Sequence, residues 1–451
     1  MSNWQTVTLE DVAESINTGL DAIRRAPIVE HQTNLRCLRI QDISQDKPFN
    51  EWGFTETKKS DYEKYKLTSG DIIIARTGGS IGVNKLIRND LESVFNNGLA
   101  RIRVNKNFAT PEFIYCVMQS INFKSHINAI SSGTAAQPNM KVGDMAKFEF
   151  KLPPLNEQKK ITETIFAFID KIQLNTQINQ TLEQIAQALF KSWFVDFDPV
   201  RAKVQALSDG MSLEQAELAA MQAISGKTPE ELTALSQTQP NRYAELAETA
   251  KAFPCEMVEV DGGEMPKGWE VTPLSGLFTL ISGTQIPKEE HIYEAKEGYE
   301  RFIQNRDYSS NNHITYVEIS KKNKRCTEKD ILIDRYGDAG KIRFGISGVY
   351  NIALAKIVLN DNNLTEYLRW FLMQPKQKAY FEQASGASTR ASLNTSTFKG
   401  INVVIPSNFI LNIFSKISNT YLDSLRNLKE ENNTLMKTRD SLLPKLLKQD
   451  V

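Results

Sequence analysis

The second half of this chain repeats the first, and the repeat limits the possible folds more than any other feature. Residues 71–78 read DIIIARTG and residues 330–337 read DILIDRYG, a shift of 259. ARIRVN and AKIVLN match further on at a shift of 255, and Met140 then falls on Leu393 at a shift of 253. Ordered matches with changing loop lengths predict a tandem duplication in which both copies fold alike.

Each copy is predicted to contain a β-rich region followed by a long helix. DIIIAR and DILIDR are short β-branched runs that end in turns with glycine, which is typical of buried strands. Thr110-Pro111-Glu112 has the residue types of a helix start. Pro153-Pro154 and Pro406 separate each β-rich region from its long helix. The predicted fold class is therefore α+β, a tandem duplication of a β-rich domain plus a long helix.

The two long helices carry an apolar stripe with the roughly 3.5-residue spacing of a coiled-coil seam. One such stripe alone would more often be the buried side of an amphipathic helix. Two at equivalent places have each other as the natural partner, so we expect an antiparallel coiled coil. Asn179 and Asn432 occupy the same seam position, where they could fix the register or equally face water. The predicted seam residues are Ile161, Ile165, Phe168, Ile172, Asn179, Leu182, Leu189, Tyr421, Leu425, Leu428, Asn432, Leu435 and Leu442.

Charge is unevenly distributed along a chain whose formal net charge is zero. Residues 199–265 carry a net charge of −6, whereas residues 1–154 carry +2 and residues 266–406 carry +4, which leaves a nucleic-acid partner open. We expect the acidic segment to be a helical spacer, with an acidic binding surface as the alternative. The predicted division is 1–153 and 266–406 for the β-rich domains, 154–198 and 407–451 for the long helices, and 199–265 for the spacer.

Signals of catalysis are incomplete in this sequence. Residues 337–341 read GDAGK but lack the flanking residues of a phosphate-binding loop. No histidine has metal-ligand spacing, and the scattered cysteines fit free thiols in a reducing cytosol. No apolar run approaches the ~18 residues that span a bilayer, and the first residues do not resemble a secretion signal. We expect a cytoplasmic protein with no active site, metal or membrane contact.

Several strings resemble the specificity subunit of type I restriction-modification enzymes. They are LPPLNEQKKI at 152–161, LFKSWFVDFDPVRAK at 189–203, MPKGW at 265–269, and the Gly-x(3)-Gln/Arg-x(2)-Met/Leu pattern at 133–140 and 386–393. The resemblance implies that each β-rich domain is a target recognition domain for one half of a bipartite site in double-stranded DNA. It implies that the paired helices set the gap between the halves. The second copy departs from the pattern, since PSNFILNIF at 406–414 lacks the PLNEQ motif.

The resemblance also implies the partners. Two methyltransferase subunits and up to two restriction subunits would assemble on this chain. S-adenosylmethionine, ATP and Mg would then be cofactors of those partners, with none in this chain. Two hypotheses result: a non-catalytic DNA-recognition and scaffold subunit, or a protein-only coiled-coil adaptor with degenerate recognition heads.

Polar residues in and beside two loops, 131–141 and 385–396, are the candidates for DNA contact. Arg can bind guanine, and Asn or Gln can bind adenine, through two hydrogen bonds in the major groove. Arg76 and Arg335 follow equivalent strands, and ion pairs with Asp71 and Asp330 are the alternative to DNA contact. The candidate DNA-binding residues are Arg76, Thr77, Gln137, Asn139, Lys141, Arg335, Tyr336, Arg390 and Asn394.

Overall fold

A computed structural model describes residues 4–131, 139–261, 263–308, 314–386, 393 and 395–447. Gln137, Arg390 and Asn394 therefore lie outside the described residues. The contacts divide the chain into two compact units, with residues 1–175 and 430–451 in unit 1 and residues 176–429 in unit 2. Among the described residues, none of the helices combines the length and the apolar character needed to cross a bilayer.

The described residues of unit 1 form three small β-sheets. Its strands are β1 (Gln5–Thr8), β2 (Ala13–Thr18), β3 (Ile28–Val29), β4 (Arg36–Leu38), β5 (Gly53–Thr55), β6 (Ile72–Ala75), β7 (Asn84–Leu86), β8 (Ser93–Phe95), β9 (Leu99–Val104) and β10 (Glu149–Leu152). One sheet has the order β2-β9-β6-β7 and is antiparallel. The second has the order β3-β5-β4-β8, with β4 and β8 parallel. β1 and β10 pair antiparallel.

Strand β6 explains the DIIIAR string, because it is buried on both faces. Ile72 and Ile74 belong to one apolar cluster, whereas Ile73 and Ala75 belong to another. Alternate residues of a strand point to opposite faces, so a strand between two cores needs an unbroken apolar run. The corresponding strand prediction is confirmed.

The described residues of unit 1 also form six short helices and the first part of a long one. They are α1 (Ala22–Arg25), α2 (Ile40–Ser44), α3 (Lys59–Tyr65), α4 (Pro111–Gln119), α5 (Ile121–Ser131), α6 (Val142–Ala146) and α7 (Leu155–Phe194), which continues into unit 2. The predicted start of α4 is confirmed: the backbone N–H of Phe113 donates to Oγ1 of Thr110 at 3.2 Å. Such a cap satisfies one of the free amide groups of the first helical turn.

The acidic segment folds in unit 2 as four helices and a hairpin. The helices are α8 (Asp198–Ser208), α9 (Leu213–Ser225), α10 (Pro229–Thr238) and α11 (Pro240–Ala252), and the hairpin strands are β11 (Met257–Val260) and β12 (Gly263–Pro266). The helical character is as predicted, whereas the hairpin was not predicted. Lys203 is buried, and its Nζ donates to the carbonyls of Ala250 at 3.1 Å and Phe253 at 2.7 Å. The ammonium group thus neutralises the negative end of α11.

The sheets of unit 2 repeat those of unit 1. Its remaining strands are β13 (Glu270–Pro273), β14 (Phe278–Ser282), β15 (Tyr299–Ile303), β16 (Thr315–Glu318), β17 (Arg325–Cys326), β18 (Ile331–Asp334), β19 (Ile342–Arg343), β20 (Gly348–Tyr350), β21 (Leu354–Leu359) and β22 (Asn402–Ile405). The order β14-β21-β18-β19 matches β2-β9-β6-β7, and β13 pairs with β22 as β1 does with β10. The order β16-β15-β20, with β15 and β20 parallel, matches β5-β4-β8. The predicted duplication is confirmed.

The two copies differ at the edge of this smaller sheet. Unit 1 adds β3 outside β5, whereas unit 2 adds β17 outside β20. The helices of the second copy are α12 (Thr365–Leu372), α13 (Pro375–Gly386) and α14 (Asn408–Leu446), the second long helix.

The long helices approach each other within each unit. In unit 1, Ile161 and Ile165 of α7 share a core cluster with Leu443 of α14. In unit 2, the ring of Phe414 lies 5.8 Å from that of Phe190 and 6.1 Å from that of Trp193. Every predicted seam residue is buried or half-buried. In unit 1, residues near the start of α7 therefore contact residues near the end of α14. In unit 2, residues near the end of α7 contact residues near the start of α14.

Candidate nucleic-acid interface

Arg76 follows β6 and binds the chain at Asn139 and Met140 in unit 1. Its backbone carbonyl accepts from the N–H of Met140 at 2.8 Å. Its guanidinium donates to the carbonyls of Met140 at 3.4 Å and Asn97 at 3.2 Å, and to Oδ1 of Asn139 at 3.2 Å. Three of the five guanidinium N–H groups thus have partners within unit 1.

Arg335 holds the same place in unit 2. Its backbone carbonyl accepts from the N–H of Leu393 at 3.4 Å, and its Nε donates to the carbonyl of Leu393 at 3.4 Å. Its Nη1 donates to Oγ of Ser282 at 2.8 Å, and the guanidinium lies 5.3 Å from the ring of Tyr336. Met140 and Leu393 are both buried. Each arginine therefore anchors the end of one candidate loop.

The alternative that Arg76 and Arg335 pair with Asp71 and Asp330 is wrong. Asp71 accepts two hydrogen bonds from Arg103, at 2.8 and 2.9 Å, and Asp330 pairs with Lys356 at 3.1 Å. The carboxylates lie at the starts of β6 and β18 and the arginines follow the ends, so each strand separates the two groups.

The remaining described candidates lie beside these anchors. Thr77 forms a β-bridge with Asn139, which is exposed, and Tyr336 is 39% exposed. Lys141 is exposed at the position before α6. The structure thus brings Arg76, Thr77 and Asn139 together in unit 1, and Arg335 and Tyr336 in unit 2. Their contact with DNA stays a prediction.

Gly19 in the first copy and Gly283 in the second follow equivalent strands, β2 and β14. Sequence reasoning missed both glycines. A Cβ atom at Gly19 would lie 2.1 Å from the carbonyl oxygen of Asn96, and one at Gly283 would lie 2.2 Å from that of Asn351. Without a side chain, each glycine lets the chain after its strand pack tightly against a neighbouring segment. Arg76 binds the same segment at Asn97, and Arg335 binds the equivalent segment at Ala353. A glycine after an equivalent strand of both copies was the available signal.

The PLNEQ string connects the first β-rich domain, called the first head below, to α7. Gln158 is fully buried, and its Nε2 donates to the carbonyls of Phe108 at 3.0 Å and Pro153 at 2.9 Å. Its Oε1 accepts from the N–H of Thr110 at 2.8 Å, and Glu157 accepts from Nε1 of Trp4 at 2.9 Å. Because these polar groups are directed into unit 1, the motif has a structural use that requires no partner protein.

The second copy replaces this polar joint with apolar packing and a buried network. Ile410 and Leu411 are buried in the main cluster of unit 2. Oγ of Ser418 on α14 accepts from Nε1 of Trp370 at 2.6 Å and donates to Glu366 at 2.8 Å. The missing PLNEQ motif is therefore compensated by other contacts of α14.

The LFKSWFVDFDPV string is also structural. The rings of Trp193, Phe194 and Phe197 lie in one cluster with Trp269 of the MPKGW string. Phe194 and Phe197 lie 6.0 and 5.7 Å from Trp269. Both strings thus contribute to the core of unit 2 around the end of α7.

Three of the four cysteine thiols are buried and weakly acidic. Cys37, Cys116 and Cys326 are buried and Cys255 is half-buried, and all four are free, as predicted. Burial raises the pKa of Cys37, Cys116 and Cys326 to about 12, so thiolate is scarce at neutral pH. Over the ranges that the structure describes, no group of His, Cys, Asp and Glu has the arrangement of a metal site.

Comparison with known proteins gives concordant similarities. A family model described as the type I restriction modification DNA specificity domain matches residues 1–184 and 266–434. The type I restriction enzyme HindI specificity subunit of Haemophilus influenzae is 39% identical over 469 residues, which cover 100% of both chains. The MjaIX specificity subunit of Methanocaldococcus jannaschii is 24% identical over 388 residues, 83% of this chain and 76% of the relative. The crystal structure of an S subunit from M. genitalium has a similar fold, with a TM-score of 0.51, 16% identity, and coverage of 98% of this chain and 96% of the other.

Proposed function

Because this chain belongs to the family of type I restriction-modification DNA specificity subunits, we propose that each of its two copies reads one half of a bipartite DNA site. The chain is a non-catalytic subunit with DNA sequence recognition, and the catalytic activities of such systems lie in the methyltransferase and restriction subunits. The family match favours DNA recognition over the protein-only adaptor. The observation that carries the two-half-site proposal is the repeated fold, with Arg76 and Arg335 anchoring equivalent loops.

We propose that α7 and α14 pair as an antiparallel coiled coil and set the gap between the half-sites. Two contacts support one alignment. In unit 1, Asn175 Nδ2 donates to Oδ1 of Asn432 at 2.9 Å. In unit 2, the rings of Trp193 and Phe414 lie 6.1 Å apart. Trp193 is 18 residues after Asn175 and Phe414 is 18 residues before Asn432, as an antiparallel pairing requires.

We further propose that two methyltransferase subunits dock on these helices and that up to two restriction subunits complete the complex. Helix α7 has apolar side chains at Leu174, Ile178 and Ile185 that are 50%, 37% and 44% exposed. Their spacing of four and seven residues places them on one face of the helix, which suits a partner helix. S-adenosylmethionine would belong to the methyltransferase subunits, and ATP with Mg to the restriction subunits.

An exchange of the first head tests the two-half-site proposal. Residues 1–153 are replaced by the aligned residues of another specificity subunit with a different target, and the hybrid is combined with the methyltransferase subunits. Mapping of methylated adenines should show one new half-site, with the other half-site and the gap unchanged. The reciprocal exchange of residues 266–406 is the matched control and should change the opposite half-site. A change in both half-sites after one exchange would contradict independent reading.

A further inference from the structure

The densest run of positive charge in the chain, KKNKR at 321–325, follows β16 and ends on the first residue of β17. Lys321, Lys322 and Lys324 are exposed. Within the described residues, no carboxylate forms an ion pair with any of these three lysines, whereas Arg325 pairs with Glu300. Residues 320–325 are called the lysine turn below.

The lysine turn has an ordered backbone. Asn323 Nδ2 donates to the carbonyl of Glu318 at 2.9 Å, and Arg325 Nη2 donates to the carbonyl of Ser320 at 2.8 Å. The N–H of Lys324 donates to Oγ1 of Thr284 at 2.8 Å. Because these bonds exist in the free chain, a ligand of the lysines need not order the backbone on binding.

Carboxylates near the lysine turn pair with cations other than its three lysines. Glu300 accepts two hydrogen bonds from Arg325, at 2.6 and 2.7 Å. Glu328 pairs with Arg426 at 3.4 Å, and Asp330 with Lys356 at 3.1 Å. Glu318 is the exposed carboxylate that adjoins the turn. The lysine turn therefore has a local excess of positive charge in a chain whose net charge is zero.

The first copy has a smaller version of this feature. Lys58 and Lys59 follow β5 as Lys321 and Lys322 follow β16, and they are also exposed. Two lysines follow β5, against three after β16, so the local positive charge is smaller. Asp61 is hydrogen-bonded to Arg25, and Glu63 pairs with Lys66 at 2.8 Å.

We infer that the lysine turn binds backbone phosphates of duplex DNA at the half-site of the second copy, and that Lys58-Lys59 binds phosphates less strongly at the other half-site. This inference rests on the proposed function. A lysine ammonium binds phosphate as a point charge and reads no base, so the contact adds affinity without changing sequence preference. Each phosphate contact contributes about 0.9 to the slope of log affinity against log salt concentration.

The test uses the complex of the full chain with its methyltransferase subunits. The Kd for a duplex with the recognised site is measured over a range of salt concentrations for the wild type and for K321Q/K322Q/K324Q. The salt slope should fall by about 2 to 3 in the triple variant. The triple variant should lose affinity by the same factor for the recognised duplex and for duplexes altered in either half-site. K58Q/K59Q should lower the slope by less than about 2.

A matched control removes three positive charges from the helical segment of residues 198–252. The variant K227Q/R242Q/K251Q should retain the wild-type salt slope. A wild-type slope in K321Q/K322Q/K324Q would overturn the inference. So would weaker binding of the methyltransferase subunits with an unchanged DNA slope, because the lysines would then contact protein. A wild-type complex that binds all sequences equally would instead contradict the proposed function.

Discussion

At the residue scale, Gln158 joins the first head to α7 through main-chain atoms alone. Its amide is buried and makes hydrogen bonds to the backbone of Phe108, Thr110 and Pro153. A buried donor or acceptor without a partner costs about 1–3 kcal/mol. We expect Gln158→Leu to lower the free energy of unfolding by about 2–4 kcal/mol in urea denaturation.

Lys159→Gln is the control for this prediction, because Lys159 is the next residue on α7 and is exposed. It should change the free energy of unfolding by less than about 0.5 kcal/mol. Equal losses in both variants would mean that helix propensity, and not the buried amide, decides the result.

The sequence identified the PLNEQ string but not its use. A glutamine in the first turn of a helix is usually exposed, and no pattern in the sequence shows that Phe108 and Thr110 return to meet it. The same reason explains the error about Asp71, because the closeness of Arg103 depends on the register between β6 and β9. Local sequence indicates which residues are in strands, whereas cross-strand register decides which charges meet.

At the scale of elements, Asn175 and Asn432 form a polar contact between α7 and α14 in unit 1. Asn175 Nδ2 donates to Asn432 and to Oε2 of Glu431, each at 2.9 Å, and Lys171 pairs with Glu431 at 3.5 Å. We expect a double-mutant cycle of Asn175→Ala and Asn432→Ala to give a coupling energy of about 1 kcal/mol or more. The measurement is the free energy of unfolding of both single variants and the double variant.

Thr164→Ala with Thr434→Ala is the matched pair on the same helices. Their hydroxyl groups bond only to the preceding turn of their own helix, at the carbonyls of Lys160 and Glu430. Their effects should add within about 0.5 kcal/mol. Additive effects at Asn175 and Asn432 as well would show that their hydrogen bond does not couple the helices.

Heptad spacing did not predict the partner of Asn432. The repeat makes Asn179 the equivalent of Asn432, yet in unit 1 Asn432 bonds to Asn175. Antiparallel helices bring equivalent positions face to face only at their midpoint, so a position away from it meets a different residue. The register role of Asn179 stays a prediction.

At the scale of the whole molecule, helix length should determine the gap between half-sites. The test inserts seven residues into each long helix, between Leu182 and Leu189 and between Ser418 and Leu425. The proposed alignment places these two segments opposite each other. The added length is about 10 Å at ~1.5 Å per residue. The gap should grow by about three base pairs at ~3.4 Å each. Methylation mapping of the active variant measures this gap.

The insertion in α7 alone is the control. It leaves α14 seven residues short and should reduce stability and methylation together. An active double insertion with the original gap would show that the helices do not set the spacing.

The joint at Gln158 has a consequence for how such proteins diversify. The amide binds carbonyl and N–H groups, which are present whatever side chains the head carries. A head from another specificity subunit, if its backbone follows the same path, could therefore make the same hydrogen bonds to Gln158. Genetic recombination can then bring in a head of unrelated surface sequence in one event, without compensating mutations in the helix. Selection would then act on the acquired target specificity, while Gln158 and its contacts stay unchanged.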